Sequence, residues 1–356
     1  MKRIIVSVSN DLTTDQRVMK TCNFLHANDY EVVLIGRLLN QSTEIKRNYT
    51  TKRFNLLFNK GPLFYIEYNI RLFCYLLTHK KEVLFSNDLD TLLPNYLVSK
   101  IQNKKLIFDS HELFSEIPEL VYRKRIKWFW KKLESFLIPK IKNGITVSDS
   151  IANYYQKNYN ANFITIKNLP YYQKQLNIKK IEINSNIIIY QGAVNIGRGL
   201  ELMIDTMEFL DNYIFLIIGD GDIISDLKNH VSKRKLENKV LFYGKVTPKE
   251  LKKITPNASL GISLEEDLGL NYRYALPNKI FDYVQAEVPV LVSNLPEMKK
   301  IVKQYNIGEI VYSREPQQLA NQITQMCTIN FLSKLQKAKK ELIWEKEAKK
   351  LTRFFN

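Results

Sequence analysis

Three polar residues, Asn278, Lys279 and Asp282, lie near the start of a helix that we expect to begin at Pro277, because proline suits a first helical position. Successive helical residues lie about 100° apart, so the three polar residues share one arc beside an apolar one. The N–H groups of a first turn lack partners and favour phosphate. Lys279 adds a full positive charge, and Asp282 could accept hydrogen bonds from a diol such as ribose. The alternative is an ordinary surface helix with a Lys279–Asp282 pair.

A second candidate phosphate site is the loop after the predicted strand 187–192. Its glycines, Gly192, Gly197 and Gly199, let the backbone approach a ligand closely. Arg198 can form two parallel hydrogen bonds with a diphosphate. The spacing matches neither the Gly-x-Gly-x-x-Gly dinucleotide fingerprint nor a Walker loop, so this loop alone identifies no ligand.

In the first half of the chain, polar residues follow three predicted strands. Asp15 and Arg17 come after the first strand, Asp88 after a middle one, and His111 and Glu112 after the next. Ligands on parallel sheets collect at the carboxyl ends of strands. These residues are therefore candidates for substrate contacts, and the alternative for His111 is an ordinary core histidine.

The sequence predicts no metal site. Asp88-Leu89-Asp90 imitates the Asp-x-Asp that holds a metal on nucleotide sugars, but we interpret Asp90 as the cap of the following helix. Cys22, Cys74 and Cys327 match no metal or redox spacing, which favours a reduced, cytoplasmic compartment.

The elements that must position these residues alternate between strand-like runs and helical patterns. That alternation predicts parallel sheets with helices on both faces, an α/β fold. A polar passage after Pro170 divides the chain into domains 1–168 and 169–339. We expect a C-terminal helix, 340–356, to pack back on the first domain.

The charge is unusual for a chain of 356 residues, whose net value is +17. Up to Pro170 there are 26 Lys and Arg against 15 Asp and Glu, so most of the excess lies in the first half. Such a balance favours anionic partners. Nucleic acid is disfavoured because no recognised binding module accompanies the charge.

Two segments, 63–77 and 123–132, combine apolar or aromatic residues with positive charge. This composition is typical of helices on an anionic membrane surface. The alternative is a core helix and a solvated run of charges. No segment has 18 uninterrupted apolar residues, so we expect no membrane span and a location in the cytoplasm or on the inner face of the cytoplasmic membrane.

The order of motifs in 187–311 resembles the donor-binding domain of family 4 glycosyltransferases, enzymes of the GT-B architecture. The matching pieces there are Gly192, Arg198-Gly199-Leu200-Glu201, Ile217-Ile218-Gly219-Asp220-Gly221, Val240-Leu241-Phe242-Tyr243-Gly244-Lys245-Val246, Pro277-Asn278-Lys279-Ile280-Phe281-Asp282-Tyr283, Pro289-Val290-Leu291 and Pro296-Glu297. The first half is similar more loosely, through Asp15-Gln16-Arg17-Val18, Phe108-Asp109-Ser110-His111-Glu112, Thr146-Val147-Ser148 and Asn168-Leu169-Pro170.

This resemblance implies two Rossmann-like domains facing a central cleft. It also implies transfer of a sugar from a nucleotide diphosphate sugar, with retention of configuration and no obligatory metal or other cofactor. The residue roles that it implies are the following: Arg198, Lys279 and Asn278 at the diphosphate, Asp282 at the ribose, His111 beside the donor sugar, Gly244, Lys245 and Val246 along the base, and the 11–17 loop on the acceptor side.

The sequence departs from the family pattern at three positions. Tyr274 stands where the first Glu of the Glu-x7-Glu motif is usual, and we name Glu265 and Glu266 as its possible substitutes. Asp282 is one methylene shorter than the second Glu, and Ala193 replaces a usual basic residue.

We therefore predict a hexosyltransferase with a UDP-linked donor and a lipid-linked or cell-envelope glycan acceptor, acting in polysaccharide biosynthesis. Two alternatives remain open: an enzyme resembling a nucleotide-sugar epimerase, and a catalytically silent membrane- or glycan-binding protein of the same architecture.

Overall fold

The computed structural model describes residues 2–13, 15–40, 42–117, 120, 123–174 and 185–355. The chain forms two compact units. Unit 1 comprises Met1–Asn168 with Ala348–Asn356, and unit 2 comprises Leu169–Glu347.

Unit 1 is built on a parallel sheet of seven strands in the order β3-β2-β1-β4-β5-β6-β7. The strands are β1 (Arg3–Asp11), β2 (Glu31–Leu38), β3 (Thr50–Asn55), β4 (Val83–Asn87), β5 (Lys105–Ser110), β6 (Gly144–Thr146) and β7 (Phe163–Thr165). The helices are α1 (Gln16–Ala27), α2 (Gly61–Thr78), α3 (Leu89–Ile101), α4 (Lys124–Leu137) and α5 (Asp149–Tyr159).

Unit 2 has a parallel sheet of six strands in the order β10-β9-β8-β11-β12-β13. The strands are β8 (Asn186–Gln191), β9 (Tyr213–Ile218), β10 (Val240–Gly244), β11 (Leu260–Ser263), β12 (Val290–Val292) and β13 (Gly308–Ile310). The helices are α6 (Leu200–Thr206), α7 (Ile224–Lys233), α8 (Pro248–Ile254), α9 (Leu270–Arg273), α10 (Asn278–Gln285), α11 (Pro296–Tyr305), α12 (Pro316–Met326), α13 (Leu332–Glu341) and α14 (Trp344–Glu347).

The parallel α/β organisation predicted from the sequence is confirmed in both units. The central strands are apolar runs with both faces covered, as parallel sheets require, and every residue of β4 is buried. The sequence analysis missed β3, since this edge strand is polar and largely exposed, so it lacks the apolar run that identified the others.

The helix that carries Lys279 differs from the prediction in two ways. It begins at Asn278, and Pro277 precedes it in an extended conformation as the N-cap. The expected polar arc is also wrong at one position, since Lys279 is buried with the apolar residues of α10. The helix is thus covered on most sides.

The C-terminal segment is not one helix. After α13 and α14 it ends in a 3-10 helix, Ala348–Phe354, that belongs to unit 1. Its contacts there include the Phe355 ring, 5.1 Å from the Tyr30 ring, and the Lys350 ammonium, which donates to the Thr165 carbonyl.

Helices α2 and α4 expose apolar side chains on unit 1. Phe64, Tyr68, Leu72 and Leu76 recur every fourth residue in α2 and form its buried side. Its exposed apolar residues are Leu63, Ile66 and Ile70, and those of α4 are Ile126, Trp128, Phe129 and Phe136. The two helices meet where the Tyr65 ring lies 5.0 Å from the Trp130 ring. Among the described helices, none combines the length and hydropathy needed to cross a bilayer.

Candidate active site

In unit 2, two cations converge on one carboxylate at the carboxyl ends of the strands. Lys279 Nζ on α10 lies 2.8 Å from Glu265 Oε1, and the Arg198 guanidinium lies 3.6 Å from the same oxygen. Glu265 follows β11, and Arg198 lies in the loop after β8, the strand that pairs with β11. The sequence stretches that we selected separately as phosphate sites therefore meet. With one carboxylate for two cations, this trio has a net charge of about +1.

The Glu265 carboxylate is buried and fully engaged. Its second oxygen accepts a hydrogen bond of 2.7 Å from the Ser263 hydroxyl. Burial would raise the pKa of Glu265, but Lys279, Ser263 and Arg198 outweigh burial and hold that pKa below its usual range. Burial lowers the pKa of Lys279, Glu265 opposes that change, and Arg198 adds to it. Glu265 thus holds the two cations together.

Each of the two cations contacts an aromatic ring. Lys279 Nζ lies 4.0 Å from the centre of the Tyr190 ring, and the Arg198 guanidinium carbon lies 5.1 Å from that of Tyr272. The Tyr272 hydroxyl donates to the Ile196 carbonyl at 2.8 Å, which fixes this ring to the loop of Arg198. Within the described parts of the chain, Arg198 Nε has no hydrogen-bond partner. The N–H at Nε is thus a buried donor that the described residues leave unsatisfied.

Glycines let the loop after β8 pack tightly. Gly199 has φ +72°, and a Cβ at this position would overlap the Leu264 carbonyl. Gly192 has φ +137° and lies beside the aliphatic chain of Lys279. The Gly197 carbonyl accepts the Glu266 N–H at 2.9 Å, which ties this loop to the segment after β11. The glycines found from the sequence thus shape the cation site.

Asp282 lies one turn along α10 from Asn278, and a neighbour on β8 orients it. The Gln191 side-chain amide donates to Asp282 Oδ2 at 3.3 Å, and the amide oxygen accepts from the Thr255 hydroxyl at 2.9 Å. Gln191 is itself buried. Gln191 therefore fixes the orientation of the Asp282 carboxylate near the start of α10.

Glu265 and Glu266, the two possible substitutes for the missing Glu, have different environments. Glu265 is buried within the ion pair, whereas the Glu266 side chain is 39% exposed and lies 3.4 Å from the Arg314 guanidinium. Arg314 also donates to the Leu264 carbonyl and the Ser293 hydroxyl, each at 3.3 Å. Sequence reasoning missed Arg314, although it follows β13 at a strand end, the rule that selected the others.

The remaining predicted donor residues lie at the end of β10 and at the start of α10. Gly244 ends β10, where its carbonyl accepts the Gly219 N–H at 3.0 Å. Lys245 is exposed, and Val246 is half-buried. Asn278 is exposed at the start of α10. Their roles toward a donor stay predictions.

Unit 1 carries a second cluster, built on a buried ion pair. Arg17 on α1 donates to both oxygens of Asp109 on β5, at 2.9 and 2.7 Å, and to the Ile166 carbonyl at 2.8 Å. Arg17 is 4% and Asp109 1% exposed. Burial would raise the pKa of Asp109, but Arg17 and His111 hold it far below its usual range. The placement of Arg17 on the acceptor side stays a prediction, and its observed contacts bind α1 to β5.

His111 lies between two carboxylates. Its Nδ1 is 3.2 Å from Asp88, its Nε2 is 3.5 Å from Asp109, and its backbone N–H donates to Asp88 at 2.8 Å. Burial would lower the pKa of His111, but Asp88 and Asp109 raise it well above its usual value. The two carboxylates thus favour the protonated form of the imidazole.

Other predicted residues of unit 1 have identifiable local partners. Asp15 is the N-cap of α1 and accepts the Val18 N–H at 3.0 Å. Glu112 is half-buried, and its carbonyl accepts from the Ser110 hydroxyl at 2.8 Å. Asp90, expected as a helix cap, instead accepts from the Ser9 hydroxyl.

Metal-ligating side chains are not grouped in the described residues. No set of three or more His, Cys, Asp and Glu there has an arrangement that could hold a metal ion.

Solved structures with low sequence identity share the fold over the whole chain. Sucrose-phosphate synthase from Thermosynechococcus elongatus superposes with a TM-score of 0.81 at 15% identity and covers 100% of this chain and 98% of its own. Anabaena HepE, solved in complex with UDP, gives 0.76 at 14% identity and covers 100% and 99%. The fold is therefore GT-B, as the sequence predicted.

One curated relative matches over part of its length. It is the chitobiosyldiphosphodolichol beta-mannosyltransferase of Candida albicans, 25% identical over 253 residues. The match covers 63% of this chain and 55% of the relative.

Two family models divide the chain between them. The model for glycosyl transferases group 1 matches residues 173–350, and the model for Glycosyltransferase Family 4 matches residues 15–168. The first match spans unit 2 with its cation cluster, and the second spans most of unit 1. The chain belongs to the family 4 glycosyltransferases and has the GT-B fold.

Proposed function

We propose that this enzyme transfers a hexose from a UDP-linked donor to a lipid-linked or cell-envelope glycan, with retention of anomeric configuration. The observation that carries the proposal is the convergence of Arg198 and Lys279 on the single carboxylate of Glu265. A cluster with excess positive charge at the carboxyl ends of parallel strands suits an anionic ligand.

The chemical step depends on the leaving diphosphate. Breaking the bond to the sugar drives negative charge onto the phosphate oxygens, and donors already in place stabilise it as it grows. Arg198, with its unpartnered Nε, and Lys279 supply that charge, and the first N–H groups of α10 add to it. In this mechanism the two side chains supply the positive charge that a metal ion supplies in other enzymes, so no metal is required.

The carboxylates take separate roles in the proposed donor complex. Asp282, oriented by Gln191, binds the ribose hydroxyls. Glu266 is the better candidate to hold the transferred sugar, because both oxygens of Glu265 are engaged. Gly244, Lys245 and Val246 border the base.

Two similar proteins support the choice of substrates. The HepE structure is a complex with UDP, which supports a uridine nucleotide. The Candida relative acts on a diphosphodolichol, which supports a lipid-linked acceptor.

We infer that unit 1 meets this acceptor at the inner face of the cytoplasmic membrane. Trp128 and Phe129 on α4 are 64% and 55% exposed, and Ile66 on the adjoining α2 is 55% exposed. Exposed rings among basic residues suit the boundary between headgroups and acyl chains. The acceptor-side set remains as the sequence proposed it: Asp15, Arg17, Asp88 and Glu112.

A panel of nucleotide sugars tests the donor. At 100 times its dissociation constant a ligand adds about 2.7 kcal/mol to the free energy of unfolding, so the UDP-linked donor should give the largest rise in melting temperature. NMR of the product would show the anomeric configuration. A larger rise with GDP sugars would contradict the uridine assignment, and an inverted product would contradict retention.

Substitutions test the cation site. Charge-assisted hydrogen bonds contribute about 1.5–3 kcal/mol each, so Arg198→Ala and Lys279→Ala should each lower turnover at least tenfold, measured as release of nucleoside diphosphate. The control is Arg234→Ala, which removes a surface arginine of unit 2 paired with Asp205 and Glu208. Near-normal turnover in both site variants would refute the proposed mechanism. Donor binding without turnover in the wild type, over a wide acceptor panel, would favour a silent binding protein.

A further inference from the structure

Unit 1 has a lysine-rich cavity that the proposed reaction does not use. Its volume is about 300 Å³, and it lies between the end of α3, the start of β5 and the segment before β6. Its lining includes five lysines: Lys100, Lys104, Lys105, Lys140 and Lys142. We call this the lysine pocket.

The lysines of the pocket lack compensating charge. Among the described residues, none of the five ammonium groups has a carboxylate partner, and no acidic residue lines the pocket. Lys104 and Lys105 are half-buried, and Lys100, Lys140 and Lys142 are exposed. Like charges gathered around one cavity favour an anionic ligand. The same crowding acts on buried Lys81, whose pKa is lowered by burial and by the charge of Lys104.

Aromatic rings hold two of these charges at the pocket. Lys100 Nζ and Lys140 Nζ lie 5.5 and 5.9 Å from the centre of the same ring, that of Tyr96. Cation–π contacts of this kind favour the positions of both ammonium groups. The two charges therefore come from different elements but face one ring.

Exposed apolar residues adjoin lining residues of the pocket, either in the sequence of α3 or by contact with Lys140. Leu97 and Ile101 on α3 are 41% and 64% exposed, and Phe136 on α4 is 56% exposed. Lys140 Nζ lies 2.9 Å from the centre of the Phe136 ring. A phosphate site with exposed apolar side chains nearby matches a lipid headgroup better than a free ion, because the acyl region would cover these side chains.

The pocket is separate from the candidate residues of unit 1. It opens at the amino ends of β5 and β6, whereas His111 follows the carboxyl end of β5. The six residues of β5 span about 17 Å at roughly 3.3 Å per residue. A ligand in the pocket would therefore not touch His111.

We propose that the lysine pocket binds the phosphate group of an anionic membrane lipid. This goes beyond the proposed transfer reaction but rests on the membrane contact proposed for α4. The pocket lies just after the end of α4, the helix that exposes Trp128 and Phe129, so one helix joins the headgroup site to the exposed rings.

Vesicle binding of matched triple variants tests the proposal. The pocket variant carries Lys100→Gln, Lys104→Gln and Lys140→Gln. The control carries Lys334→Gln, Lys337→Gln and Lys340→Gln on α13, three exposed lysines of unit 2. Three lysines near an anionic surface contribute roughly a hundredfold in affinity. We therefore expect the pocket variant to bind vesicles of phosphatidylcholine and phosphatidylglycerol at least tenfold more weakly than the control.

Two further arms identify the source of the phosphate. In the first, inorganic phosphate is titrated by calorimetry, and in the second, vesicles are charged with oleate instead of phosphatidylglycerol. A pocket-specific loss confined to phosphatidylglycerol supports the proposal. Equal vesicle binding by the two variants overturns the proposal, whether or not free phosphate binds. A loss of binding to oleate vesicles as large as the loss on phosphatidylglycerol vesicles also overturns it. Melting temperatures of both variants confirm that they are folded.

Discussion

The charged clusters of the two units differ in the balance between basic side chains and carboxylates. In unit 1, Arg17 and His111 face Asp88 and Asp109, so basic side chains and carboxylates are equal in number. In unit 2, Arg198 and Lys279 share Glu265, which leaves one positive charge uncompensated. A balanced buried cluster is satisfied by its own members, whereas an unbalanced one favours a ligand of opposite charge. The first cluster therefore needs no ligand for its own charge balance, and the second is the better receptor for a diphosphate.

The largest effect should follow from breaking the balanced cluster. Arg17→Ala leaves Asp109 buried without its main partner, which costs about 3–5 kcal/mol. Urea unfolding should show this loss, while Arg125→Ala at an exposed position of α4 should change stability by less than about 0.5 kcal/mol. If Arg17→Ala had wild-type stability but lost turnover, the cluster of unit 1 would act in the reaction rather than in stability. The proposed difference between the two clusters would then be wrong.

A pH-dependent effect should follow at Asp90, which lies next to the balanced cluster. Burial and the charge of Asp88 raise the pKa of Asp90 to about 7. The unfolded chain loses this proton near pH 4 and the folded chain near pH 7, so stability should fall as the pH rises between these values. At about 1.4 kcal/mol per pH unit, the loss over these three units is on the order of 4 kcal/mol.

The variant Asp90→Asn has no proton to lose and should remove that part of the pH dependence. Its free energy of unfolding, compared with the wild type at pH 5 and pH 8, should be relatively higher at pH 8. An unchanged difference between the two proteins across this range would show that Asp90 is ionised in the folded state.

The smallest effect, on donor affinity, should come from the aromatic ring that contacts Arg198 in unit 2. The Tyr272 ring contacts Arg198, and cation–π contacts contribute about 0.5–2 kcal/mol. Tyr272→Leu should therefore weaken donor binding by about twofold to thirtyfold in calorimetry, and Tyr272→Phe, which keeps the ring, by less. Equal affinities for the two variants would mean that the ring does not position Arg198.

Local patterns in the sequence predicted much of the fold. Apolar runs located every described strand except β3, whose polar edge lacks such a run. The same patterns placed α10 to within one residue, since the limits of a helix depend on the local properties of residues such as Pro277.

The candidate site was predicted in its residue types but not in its environment. Lys279 was expected on a polar arc, yet it is buried, because Glu265 meets it from another loop. Arg314 was missed since its partners, Leu264 and Ser293, lie far from it in the sequence. A helical arc shows which residues share a face, but it does not show what covers that face.

The sequence by itself determined the alternation of strands and helices, the strand ends where a ligand could bind, and the supply of cations and glycines there. Those properties are local, since they depend on side-chain type and spacing. Only the tertiary structure decided which charges meet: Arg17 with Asp109 across 92 positions, and Lys279 with Glu265 across 14. Burial then fixed the consequence, because a charge removed from water must find a partner within reach, and that partner is supplied by the fold.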